Sequence, residues 1–158
     1  MNLSIIDTNS GNIKSVFNFF NRTFNYEIEV VKYKKLIFSK SDIMVLPGVG
    51  NFGYVAKLIM EYDNGEKIKS FCSSGKLFIG ICLGAQLLTR KSDEDPGQVG
   101  LGLINASCEN LKSHPSYSGR IPRVGWNGME SEEYNGQSFY FVHSYYIKPD
   151  NEIANTKV

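Results

Sequence analysis

The sequence predicts an α/β fold with a parallel core sheet and an antiparallel flank, on three observations. Strand-like and helix-like segments alternate through the first half. The later strands in that half are nearly continuous apolar runs, the pattern of strands covered by helices on both faces. Three glycine-rich turns, Thr8–Asn12, Pro47–Gly53 and Gly80–Gln86, fall where such strands end. In open α/β sheets the functional site lies at those carboxyl ends.

The elements follow in order. "LSIID" (Leu3 to Asp7) is a short apolar run closed by turn residues, and reads as the first strand. Ile13, Val16, Phe17, Phe20 and Phe24 recur at helical spacing, so Asn12 to Thr23 reads as a helix. "YEIEVV" (Tyr26 to Val31) alternates like a strand, and "DIMVLPG" (Asp42 to Gly48) is a buried strand stopped by Pro-Gly. Asn51 to Phe71 reads as helix broken at Asp63-Asn64-Gly65. "KLFIGIC" (Lys76 to Cys82) is a further buried strand, and a helix starts over Gly84 to Thr89. In the second half, Gly100 to Leu111, Gly136 to Tyr140 and Phe141 to Ile147 read as strands joined by Gly- and Pro-rich turns. With no repeat, low-complexity tract or linker, one domain over residues 1–158 is expected.

Bulk properties narrow the class. The 158 residues are 42% apolar and 21% charged, and 17 basic against 16 acidic residues leave a net charge of +1. That balance gives no electrostatic footprint for nucleic acid or an anionic membrane, and neither is expected as a partner. No apolar run approaches the roughly 18 residues of a membrane helix. "MNLSIIDTNSG" lacks the basic flank and apolar stretch of a signal peptide. Cys72, Cys82 and Cys108 are odd in number and without C-x-x-C spacing. This argues against disulfides and a zinc site, and fits a reducing cytoplasm. No metal or organic cofactor is expected.

The chemistry concentrates at Gly80-Ile81-Cys82-Leu83-Gly84. G-x-C-x-G has the pattern of a nucleophile elbow with sulfur in place of a hydroxyl, the alternative being a small buried cysteine at a strand end. The strand-to-helix turn brings the residues two before and two after the apex together, and glycine at both removes the Cβ clash. The apex side chain then stands clear of the sheet. A helix starting beneath it favours a thiolate, and the N–H of Leu83 faces a developing oxyanion. Cys72 and Cys108 have no such setting and read as buried thiols. "PGVGNFG" (Pro47 to Gly53) is a second turn whose backbone N–H groups suit an oxyanion. It lacks the lysine of a phosphate-binding loop.

Together these residues resemble the class I, triad-type glutamine amidotransferases, and more narrowly the glutaminase-subunit branch that serves imidazole glycerol phosphate synthase. The resemblance rests on "IDTNSGNIKSV", "LPGVGNFG", "GICLGAQLL", and "IPRVGWN" with "FYFVHSYY", in that order. It spans nearly the whole chain and implies a flavodoxin-like, three-layer fold. It implies that Cys82 attacks the glutamine carboxamide, with the N–H groups of Val49 and Leu83 as oxyanion hole. Gly48 and Gln86 would line the glutamine pocket, Glu94 would meet the substrate ammonium, and Ser144 and Tyr145 would hold its other end. The implied partner is a synthase (cyclase) subunit in a heterodimer, to which ammonia passes for imidazole glycerol phosphate formation in histidine biosynthesis.

Two histidines are present. His114, before Pro115, reads as surface loop, and His143 lies in an apolar strand. In the family the base comes from a later His-Pro-Glu type motif, whereas this sequence ends at "DNEIANTKV", so a C-terminally truncated domain is expected. Arg123 stands where the family commonly has histidine, and "DTNSGN" replaces an aromatic-glycine pair. These departures leave open an ammonia-supplying subunit for a surface-polysaccharide sugar amidotransferase, or a catalytically incomplete binding subunit. A peptidase-like elbow hydrolase is a further alternative, against which Gln86 and "FVHSYY" speak.

Overall fold

The computed structural model describes residues 1–36, 40–128 and 136–150. Four parallel strands make the core sheet: β1 (Asn2–Asp7), β2 (Glu27–Lys32), β3 (Ile43–Gly48) and β4 (Leu77–Cys82), in spatial order β2-β1-β3-β4. β1 and β3 occupy the centre, and all six residues of β3 are buried. β2 takes one edge, where Glu27, Glu29 and Lys32 present charge to solvent.

Alternation along the central strands divides the core. Leu3 and Ile5 of β1, with Ile43 and Val45 of β3, pack on Phe20, Val16 and Phe17 of helix α1 (Ile13–Thr23). Ile6, Met44 and Leu46 point the other way, into a larger cluster with α2 (Phe52–Met60) and α3 (Asn64–Ser73). Asn12 caps α1 through its side chain on the Ser15 N–H, and Asn51 caps α2 on the Tyr54 N–H at 2.8 Å. A one-turn helix, α4 (Leu83–Gln86), follows β4.

The second half forms two antiparallel pairs. β5 (Ala106–Asn110) pairs with β8 (Tyr145–Pro149), and β6 (Arg123–Gly128) with β7 (Ser138–His143). The expected α/β architecture with an antiparallel flank is therefore observed, and several boundaries move. The helix expected to break at 63–65 breaks at 61–63, where Tyr62 and Asp63 both take positive φ. The helix expected over 84–89 ends at Gln86, because the Leu88 and Thr89 N–H groups bond three residues back and the Thr89 hydroxyl takes the Gln86 carbonyl at 2.8 Å.

Only 106–110 of the strand expected over 100–111 is strand. The N–H groups of Gly100, Leu101 and Leu103 bond instead to the carbonyls of Arg90, Leu87 and Leu88, so this stretch lies against the chain leaving the elbow. The break expected between Tyr140 and Phe141 falls at Ser144, where the chain leaves β6 and joins β5. β6 itself was not anticipated as a strand. Its alternating register leaves Val124 and Trp126 exposed opposite Val142 and Tyr140. Among the described residues, no helix is long and apolar enough to cross a membrane.

Core and surface should separate cleanly under mutation. Leu46→Ala, at a fully buried site, is expected to cost about 2–5 kcal/mol in urea unfolding, whereas Val99→Ala at an exposed loop changes stability by about 0.5 kcal/mol or less.

Candidate active site

The turns after β1, β3 and β4 meet at the carboxyl end of the sheet. β3 and β4 pair in register to their last residues, which sets Gly48 directly opposite Cys82. Cys82 takes φ 55° and ψ −115°, a sparsely populated conformation for a residue with a Cβ. Such strain costs on the order of 1–3 kcal/mol and persists only where neighbours over-determine it. They do so here. A Cβ on Gly80 would lie 2.6 Å from the backbone N and Cα of Ala85. A Cβ on Gly84 would overlap the Leu46 carbonyl oxygen and lie 2.8 Å from its carbon. Both glycines of the elbow are thus required by close backbone approach.

The result is an exposed Cys82 on a buried base. Leu83, the first residue of α4, is 2% exposed and anchors the turn in the core. Its N–H is among those a helix start leaves without an intrahelical partner. With only four residues, α4 contributes that N–H more than a macrodipole. No hydrogen bond reaches the Cys82 thiol from another described side chain.

The loop after β3 is tied from two directions. The Val49 N–H donates to Ser10 Oγ at 3.3 Å, and the Ser10 hydroxyl donates back to the Val49 carbonyl. One side chain thus occupies both polar groups of Val49. Ser10 is itself held: Asn9 N–H bonds Asp7 Oδ1 at 2.7 Å, Lys32 reaches Asp7 and Asn9, and Gly11 at φ 109° packs on Gly48 with room for no more than a tight Cβ. At the other end of the loop, Glu94 Oε2 accepts from the Phe52 N–H at 2.7 Å, at the first residue of α2. A Cβ on neighbouring Gly53 would lie 2.5 Å from the Asp95 carboxyl carbon, so the acidic turn sits directly on that helix end.

The turn bearing Glu94 is fixed by β5. Asp93 N–H bonds the Cys108 carbonyl at 2.8 Å, and Cys108 N–H the Lys91 carbonyl at 2.9 Å. Asp93 Oδ2 accepts from the Asn110 N–H at 3.1 Å, and Asn110 pairs with Tyr145. Ser144 gives its carbonyl to the Leu111 N–H at 2.9 Å. Cys82, Gly48, Val49 and Leu83 are therefore brought together directly. Glu94 joins them through Phe52, and Ser144 and Tyr145 join Glu94 through β5. Half-buried Gln86 closes α4, its carbonyl accepting from the Thr89 N–H and hydroxyl.

Burial pushes the Cys108 thiol up to about 11, with the Thr89 hydroxyl opposing. His143 sets Nδ1 2.9 Å from the Tyr145 carbonyl, which makes Nδ1 the protonated nitrogen, and Nε2 is buried without a partner among the described residues. Among those residues no group of three or more His, Cys, Asp or Glu is arranged to hold a metal ion.

The sequence profile of the family described as glutamine amidotransferase class-I matches residues 4–158. This chain belongs to that family. A relative from Methanococcus maripaludis, imidazole glycerol phosphate synthase subunit HisH 1, is 36% identical over 95% of this chain and 76% of its own. The HisH subunit of Bacillus cereus is 37% identical over 96% of this chain and 74% of its own. Among solved structures, a glutamine amidotransferase superposes with a TM-score of 0.67 at 23% identity, covering 90% of this chain and 70% of the other. That likeness shows a shared α/β fold.

Ser10 is the site residue that sequence reasoning did not single out. Its turn was marked as lying at a strand end, but which of its four side chains would reach Val49 depends on the positive φ of Asn9 and Gly11.

Two outcomes check this geometry. Gly84→Ala should destabilise the amidotransferase domain by several kcal/mol, on the order of 3, in thermal unfolding, because backbone rather than a flexible side chain blocks the new Cβ. Alkylation of native protein at mildly alkaline pH should label exposed Cys82 and spare Cys108. Cys108 ionises near its usual 9.0 when unfolded and near about 11 when folded. Its contribution to stability is therefore complete below pH 9 and declines as pH climbs toward 11, which urea melts across that window would register.

Proposed function

We propose that this chain is a cytoplasmic glutaminase subunit of imidazole glycerol phosphate synthase, working in histidine biosynthesis with a cyclase subunit as heterodimer partner. The observation that carries the reading is the exposed, strained Cys82 held opposite Gly48 by an elbow whose two glycines are sterically obligatory. The kinship with HisH subunits supports the substrate and partner.

In this reading the Cys82 thiolate attacks the side-chain carboxamide carbon of glutamine. A C–S bond forms, and collapse of the tetrahedral intermediate breaks the C–N bond as the nitrogen takes up a proton and leaves as ammonia. Water then hydrolyses the thioester, releasing glutamate and restoring the thiol. The Leu83 N–H is one donor to the developing oxyanion. The Val49 N–H is the other, once it exchanges Ser10 Oγ for that oxygen. The exchange favours the transition state, since a charged acceptor binds an N–H about twice as strongly as a neutral hydroxyl. Glu94 supplies the anion for the substrate ammonium, while Gly48, Gln86, Ser144 and Tyr145 bound the rest of the pocket. The chemistry uses a thiol and backbone donors. Neither histidine bonds the Cys82 thiol: His114 packs edge-on against Tyr146, and the buried Nε2 of His143 has no partner among the described residues, so neither is assigned as base.

A glutamine-analogue electrophile should add covalently to Cys82, located by peptide mass, with free glutamine protecting. Cys82→Ser, assayed with the cyclase partner present, should lower glutamine hydrolysis at least about 10³-fold. Undiminished hydrolysis in that variant would sink the assignment.

A further inference from the structure

We infer that Glu94 has a second role beyond the ammonium site, as a positioning residue for the loop that carries Val49; the inference rests on the glutaminase reading. One oxygen of its carboxylate, Oε2, is committed to the Phe52 N–H at 2.7 Å. Phe52 is itself fully buried, so its backbone is held at the first turn of α2 by side-chain packing on one side and Glu94 on the other. Only Val49, Gly50 and Asn51 separate it from Gly48, the residue opposite Cys82. Gly50, at φ 106°, is the conformationally free joint in that short span. A fixed Phe52 therefore limits where the Val49 peptide can go.

The carboxylate can serve both purposes because it accepts at two oxygens, with roughly four lone-pair sites. Its own seat is firm: the Glu94 N–H bonds Ser92 Oγ at 3.2 Å, Ser92 is 3% exposed, and the turn is sewn to β5 through Cys108. A substrate ammonium arriving at Oε1 would meet the same group that anchors α2. Ammonium binding and the direction of the Val49 peptide thereby share one side chain.

The test separates charge from acceptor. Glu94→Gln removes the charge and keeps an oxygen for Phe52, whereas Glu94→Ala and the longer Glu94→Met keep neither. Glutamine hydrolysis with the cyclase partner and amide exchange of the free chain are measured for each, with Ile59 exchange confirming an intact core. For Glu94→Gln the expectation is a KM raised about 10- to 100-fold, kcat changed much less, and Phe52 exchange near wild type. For Ala and Met, Phe52 exchange should quicken about tenfold or more and kcat at saturating glutamine should fall well below that of Glu94→Gln. Equal kcat and equal Phe52 protection across all three variants would overturn the positioning role. A wild-type chain inactive on glutamine would overturn the glutaminase reading, and the Phe52 exchange comparison would then decide the anchor alone.

Discussion

Strand pairing between β3 and β4 is the constraint on which the site depends. The two strands stay in register to Gly48 and Cys82, so the turn that follows each begins at the same height on the sheet. The elbow then has to reverse within two residues while a neighbouring backbone stands in its path. Leu46, deep in β3, offers its carbonyl where a side chain at 84 would go, and the backbone of Ala85 fills the space beside residue 80. Packing of this kind does not relax through rotamers, because both surfaces are main chain. It converts the burial of Leu46, Leu83 and Leu87 into a positive φ at Cys82. The strain at one exposed residue is held in place by the core beneath it.

The remaining parts of the site are set by polar contacts of side chain on backbone. Ser10 takes both groups of Val49, Glu94 takes the Phe52 N–H, and Asp93 takes the Asn110 N–H. Each satisfies a main-chain group that a loop would otherwise leave to water. Glu94 does so at 2.7 Å, a short range at which charge assistance makes the bond stronger. This division of labour suits the part the Val49 loop plays in the proposed reaction. Apolar packing would fix it in one arrangement, whereas a single hydroxyl on Val49 can be exchanged for a better acceptor when one forms.

Much of this was legible in the sequence, and the limits of legibility have physical causes. Fully apolar β3, the G-x-C-x-G spacing and the Pro47-Gly48 stop are local patterns, and each produced the element expected of it. Boundaries failed where a distant segment captured the backbone. Gly100 to Leu103 was expected to open a strand, yet its N–H groups bond the chain just past the elbow. The helix after Cys82 has good formers through Leu88, yet the Thr89 hydroxyl competes for the Gln86 carbonyl and ends it. Ser10 failed to stand out because its role arises from two left-handed residues that flank it. Glu94 stood out through resemblance alone, and its bond to Phe52 spans 42 positions in sequence, a range that periodicity does not reach.

The antiparallel flank follows from the same logic. A turn carrying three consecutive acids, Asp93 to Asp95, repels itself, so an element beyond α2 has to help hold it there. β5 does this by bonding on both sides: β8 along one edge, and Arg90 to Asp93 along the other through the Ala106 and Cys108 carbonyls. Because Tyr145 opens β8 opposite Asn110, and Asn110 donates to Asp93, a shift in register at β8 would move Ser144, Tyr145 and the acidic turn together. The parallel sheet sets Cys82 and the loop that carries Val49. One antiparallel strand, β5, sets the groups that surround them, and Glu94 is where the two halves of the fold meet.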